Sequence, residues 1–114
     1  MTKRRTDQRA WPPDNAKIDA MIEEATIDAH DVDEQRMGFH AVMEDEIRVP
    51  FDTTVLGVRV TVERLDVAGD GGIVAVCRRG AARQVISVLE LPLPDPRPQG
   101  AERIEAYRRW ACET

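Results

Sequence analysis

Apolar positions along the chain change period as it runs from one end to the other. From Ile18 they recur at three- and four-residue steps through Met21, Ile22, Ala25 and Ala29, the spacing of one helical face, and Asp14 or Asn15 stands where an N-cap belongs. This predicts a first helix over about 15–29. Asp31 followed by Glu34 has the spacing of a capping box, in which the first side chain accepts the N3 amide and the second reaches back. A second helix follows over about 32–46, with Val32, Phe39, Val42, Met43 and Ile47 on its apolar side. Glu34, Gly38, Ala41 and Asp45 fall on another stripe of it. Glycine costs about 1 kcal/mol relative to alanine inside a helix, so Gly38 points to close approach of another backbone, unless it is merely tolerated.

Beyond Pro50 the period shortens. Ile47 to Phe51 reads as extended chain, and Val58, Val60, Val62 and Leu65 nearly alternate with Arg59, Thr61 and Glu63, as in a half-buried strand. Ala68-Gly69-Asp70-Gly71-Gly72 is a turn, Ile73 to Arg78 a strand, Gly80-Ala81-Ala82 a turn, and Arg83 to Leu91 a further strand. Consecutive hairpins make an antiparallel meander of four or five strands, enough for a small SH3-like barrel or curled sheet over 47–91. Pro92, Pro94, Pro96 and Pro98 stiffen a connector, and residues 100–112 close as a helix offering Ile104, Tyr107, Trp110 and Ala111. The predicted class is α+β, with an N-terminal helical hairpin packed on the sheet and a C-terminal helix.

At 114 residues the chain is one domain, over 15–114, with residues 1–14 a disordered basic arm whose end Trp11 pins to the body. A net charge of −5 and a pI near 5.0 argue against nucleic acid as a partner, since phosphate binding needs a basic face. Lys3, Arg4, Arg5 and Arg9 are followed by no apolar core of a secretory signal, and no run approaches the ~18 apolar residues of a membrane span. Cys77 and Cys112 form neither a CxxC pair nor a disulfide framework. A cytoplasmic location is expected.

The charge is unevenly placed. Between Ile18 and Glu46 lie Asp19, Glu23, Glu24, Asp28, Asp31, Asp33, Glu34, Glu44, Asp45 and Glu46, against the single cation Arg36. An acidic solvated face is the plain explanation; a site for a hard cation is the chemical one, because carboxylate oxygen is what Ca²⁺ prefers. In a helical hairpin Asp28, Asp31, Asp33 and Glu34 would meet at the tip, and Glu44, Asp45 and Glu46 would return beside Asp19, Glu23 and Glu24 at the base. At 1.5 Å per residue the two groups stand roughly 15 Å apart, so one ion cannot bridge them.

The stretch Ile27-Asp28-Ala29-His30-Asp31-Val32-Asp33-Glu34-Gln35-Arg36-Met37-Gly38-Phe39, followed by Met43-Glu44-Asp45-Glu46-Ile47-Arg48-Val49-Pro50-Phe51, resembles the CcbP-type small calcium-binding proteins first known from cyanobacteria. The resemblance runs from about Glu24 to about Trp110. It rests on an acidic helix with a Glu-x-x-x-Gly-aromatic turn and on the Gly38 to Phe51 spacing, and Met43, Val49, His40 and Ala41 depart from it. It implies a bacterial calcium-binding protein with a small β-rich body, Ca²⁺ as the bound ion, and a ligand set drawn from Asp28, Asp31, Asp33, Glu34, Glu44 and Asp45.

Other constellations carry less. An EF-hand loop begun at Asp31 would put Arg36 where glycine is obligatory and Val42 where the bidentate glutamate belongs. Asp66, Ala68, Asp70 and Gly71 imitate half a calcium loop, but Cys77 occupies its last position and a hairpin turn explains them better. His30 and His40 lack further soft-metal ligands, and Ser87 lacks a His and Asp framework. No carboxylate has the apolar surroundings that acid catalysis needs, so an enzyme is not expected. The sequence thus reads as a soluble Ca²⁺ buffer or sensor. The alternative is an SH3-like module binding a protein partner through its body and the Trp110 helix, with the acidic helices as electrostatic complement.

Overall fold

Asp14 Oδ1 accepts the Lys17 N–H at 2.9 Å and starts helix α1, Asn15–Thr26. The computed structural model describes Trp11 and residues 13–113; the basic arm expected over 1–14 lies, through residue 10 and at residue 12, outside the described residues. Trp11 is half-buried, with the Arg97 guanidinium 4.3 Å from its ring centroid. Helix α1 stops three residues before the expected end. The Thr26 hydroxyl donates to Ile22 O at 2.8 Å and the Ala29 N–H turns back to Thr26 O at 3.1 Å, so the polar β-branched residue redirects the chain. Helix α2, Val32–Glu46, has the expected bounds and begins at the N-cap Asp31.

Four strands follow in an antiparallel meander: β1 Phe51–Val55, β2 Val58–Val67, β3 Ile73–Arg79 and β4 Ala82–Ser87, hydrogen-bonded in the order β1-β2-β3-β4. β1 and β4 are its two edges, so the sheet is open and no barrel closes. A register shift between Val62 and Arg64 marks a bulge in β2. The β1–β2 turn is the two-residue pair Leu56-Gly57, both at positive φ (50° and 81°), as a twisted hairpin requires. The β2–β3 turn closes through Ala68 N–H to Gly72 O, 2.8 Å, and Gly71 N–H to Ala68 O, 2.9 Å, while Asp70 Oδ1 accepts the Gly72 N–H. Asp66 and Asp70 therefore belong to a hairpin.

Beyond β4 the chain leaves the sheet at Ser87, earlier than expected. Val88 and Leu91 are buried in a turn where the Arg108 guanidinium donates to both of their carbonyls. The proline connector then brings Gln99 back to the end of α2, where the Arg48 N–H donates to Gln99 O at 2.9 Å. Gly100 sits at φ 87°, and a side chain there would overlap the Glu46 carbonyl; only glycine permits this crossing. Helix α3, Glu102–Glu113, runs antiparallel to α1, with Arg103 beside Glu24 and Arg109 beside Asn15.

One core joins the layers. Ile18 and Met21 of α1, Phe39 and Met43 of α2, Val62, Ile73 and Ala75 of the sheet, and Ile104 and Tyr107 of α3 are all buried in it. Phe39, Tyr107 and Trp110 form an aromatic trio with centroids 5.3 to 5.8 Å apart. Burying three such rings together is a large hydrophobic contribution and fixes α3 on the hairpin. Among the described residues no helix is long and apolar enough to cross a membrane.

Candidate metal centre

The loop Ile27–Asp31 joins α1 to α2 and is held by the carboxylates themselves. Asp31 Oδ1 accepts the Glu34 N–H at 2.8 Å, satisfying an amide that the first turn of a helix leaves free. Glu34 Oε1 reaches back to the His30 N–H at 2.6 Å, one residue earlier than the expected partner, the amide of Asp31. Asp33 Oδ1 lies 3.1 Å from Arg36 Nη1 on the exposed first turn. Each of these three therefore has one oxygen engaged locally. Asp28 stands on the loop itself and is exposed.

Behind the loop lies a cleft of about 390 Å³ lined by Glu24, Asp28, His30, Glu34, Gly38 and Val42, with loop backbone between them. Its floor is the crossing of the two helices. A Cβ on Gly38 would overlap the carbonyl oxygen of Ala25, so the close approach expected for this glycine is real, and the approaching backbone is helix α1. Glu24, expected at the base of the hairpin, instead joins the tip, because α1 ends only two residues later. Its Oε1 is 2.7 Å from Arg103 Nη1 of α3, a guanidinium that sequence reasoning did not associate with the acidic group.

At the far end of α2, Glu44, Asp45 and Glu46 are exposed on the last turn, beside the Gly100 crossing. The helix is continuous from Val32 to Glu46, so they stay well apart from Asp31 and Glu34. Among the described residues, no three His, Cys, Asp or Glu side chains come together as a group that could hold a metal ion as they stand. The tip is the place where carboxylates are most concentrated around a recess; the base is a row of solvated acids.

Elsewhere, the enclosed Nε2 of His40 has no hydrogen-bond partner. Burial pushes the Cys77 thiol above its ordinary pKa, as for an inert core cysteine, and Cys112 is exposed. Glu63 bridges Arg78 at 2.6 Å and Arg83 at 3.0 Å; these hydrogen bonds, Arg78's first, hold its carboxyl below the usual range.

No family model matches the chain, and neither does any curated protein. A solved structure described as a calcium binding protein in the calcium-binding form is similar in fold, with a TM-score of 0.68 at 15% identity, covering 87% of this chain and 92% of that one. The two chains thus share the arrangement of helices and sheet over nearly their whole length.

Proposed function

We propose that this protein binds calcium ions at the tip of the α1–α2 hairpin, through Asp28, Asp31, Asp33 and Glu34, as a non-enzymatic Ca²⁺ buffer or sensor of the CcbP type. The observation that carries the reading is the fold shared with a protein in its calcium-binding form, taken together with the acidic recess at Glu24, Asp28 and Glu34. The donor chemistry fits: every candidate is a hard oxygen ligand, and loop carbonyls can complete a set of six to eight at about 2.3 to 2.6 Å. The side chains do not converge as they stand, and Asp31 and Glu34 each commit an oxygen to the backbone. Ion binding therefore entails a rearrangement of residues 27–34, which favours a sensor over a passive buffer. Glu44 and Asp45 form a second, weaker set with no recess behind it.

Calorimetric titration with Ca²⁺ and Mg²⁺ at physiological salt tests this. Ca²⁺ should bind and raise the melting temperature, by about 2.7 kcal/mol of stabilisation at a hundredfold excess over Kd, and Mg²⁺ much less because it demands octahedral geometry. Asp28→Asn with Glu34→Gln should remove the main binding event, and Glu44→Gln with Asp45→Asn should leave it intact. Equal melting curves with and without Ca²⁺ would refute the reading.

A further inference from the structure

The two edges of the sheet are finished differently. Along β1 the proline connector lies against the strand: the Thr53 hydroxyl donates to Pro92 O at 2.7 Å, and Leu93, Pro94 and Asp95 face Asp52 and Thr54 across a narrow groove. Along β4 no comparable covering contact occurs among the described residues. Ala82 to Val85 are exposed, Ile86 and Ser87 half-buried, and Val85 keeps 59% of its surface in water. Proteins usually blunt such an edge with proline, a bulge or a covering segment, because its outward N–H and C=O groups template another strand. β4 contains no proline, and its pairing with β3 runs without a shift from Ala82 to Ser87.

Charge narrows the occupant. The hairpin from Ile73 to Ser87 carries Arg78, Arg79 and Arg83 and no carboxylate. Glu63 serves both Arg78 and Arg83, which leaves an excess positive charge there, and Arg79 has no ion pair among the described residues. Arg83 and Val85 lie on the same face of β4, opposite Arg78 and the buried Val76 of β3. A second copy of this chain would bring a β4 with arginine and without a carboxylate, so the charge selects against it. We infer that the β4 edge accepts an extended acidic peptide as an added strand, its backbone pairing with Ala82–Ser87, a carboxylate meeting Arg83 and an apolar side chain two residues on meeting Val85. This surface lies on the sheet and is independent of the proposed calcium site.

The test is an NMR titration of the full-length, isotope-labelled chain with a synthetic nine-residue peptide that alternates threonine with glutamate and valine. Saturable amide shifts centred on Ala82–Ser87 are expected. Replacing the peptide's glutamates by lysine, methylating its alternate backbone amides, or introducing Arg83→Glu should each weaken binding by about tenfold or more. Val85→Pro, which removes an amide that the register turns outward from β3, should abolish it, and if that variant does not fold, Arg83→Glu decides. Absence of saturable shifts, equal binding of the lysine or methylated peptide, or shifts centred away from β4 would overturn the inference. So would a concentration-dependent dimer that Val85→Pro dissolves, which would assign the edge to a second copy.

Discussion

Arg103 of α3 and Glu24 of α1 meet at 2.7 Å on the rim of the acidic cleft, with the arginine only 18% exposed and the glutamate 58% exposed. The third helix thus holds a fixed positive charge against the place where a cation is proposed to bind. A calcium ion bound at the proposed tip site would compete with this guanidinium for Glu24. Arg103→Gln should therefore raise calcium affinity by about twofold to tenfold, while lowering stability without calcium by at most about 1 kcal/mol, the range of a partly exposed pair. Calorimetry and urea unfolding of the variant read both quantities. Unchanged affinity would show that Glu24 does not sense the ion.

Gly38→Ala should destabilise the protein by about 1 to 3 kcal/mol, although alanine improves helix propensity by about 1 kcal/mol, because the added methyl meets the Ala25 carbonyl at the helix crossing. Denaturant unfolding with and without calcium measures it. A more stable variant would mean that the helices separate at no cost and that the glycine is dispensable.

Leu56 is strained in a way that has no packing benefit. It is 97% exposed and holds φ at 50°, a region that leucine rarely enters and asparagine tolerates. Leu56→Asn, which restores the favoured Asn-Gly turn, should add about 1 kcal/mol of stability and raise Tm by about 4 °C. A thermal melt checks it.

Glu63 gives a pH dependence of known sign. Its folded pKa lies below the ordinary 4.5, first through the hydrogen bond from Arg78 and then through that from Arg83. Its contribution to stability is therefore complete above the unfolded value and is lost as pH falls through the folded one. Carbon-detected NMR titration should find the depressed value, and Arg78→Gln should move it upward.

Periodicity made the two N-terminal helices, three of the strands and the last helix legible, since each has an apolar face at the spacing of its own backbone. β1 was not legible as a strand. Its buried residue is Thr53, whose hydroxyl is satisfied by Pro92, and its turn is Leu56-Gly57, which lacks the usual asparagine or aspartate. The extra length given to β4 has a similar origin: β4 ends at Ser87, Val88 adds one more hydrogen bond to Ile73 O at 3.1 Å, and Leu91 is buried beyond the last pairing. Whether the meander closes depends on its first and last strands meeting, which no local pattern encodes. Asp28 and Asp31 stand on the connecting loop and Asp33 and Glu34 on the first turn of α2; the capping box of Asp31 and Glu34 was legible from their spacing, whereas the shift of Glu34 to the His30 amide and the pairing of Asp33 with Arg36 were not. Arg103 lies 79 residues from Glu24, beyond any spacing rule.

The aromatic trio also sets an order of events during synthesis. Phe39 leaves the ribosome early, yet its ring partners Tyr107 and Trp110 belong to the final helix. Until about residue 110 has emerged, the hairpin carries an uncovered aromatic face and the sheet lacks one wall of its core. A nascent chain stalled before α3 should therefore bind hydrophobic dyes and chaperones, and release of the last helix should extinguish both signals in a single cooperative step.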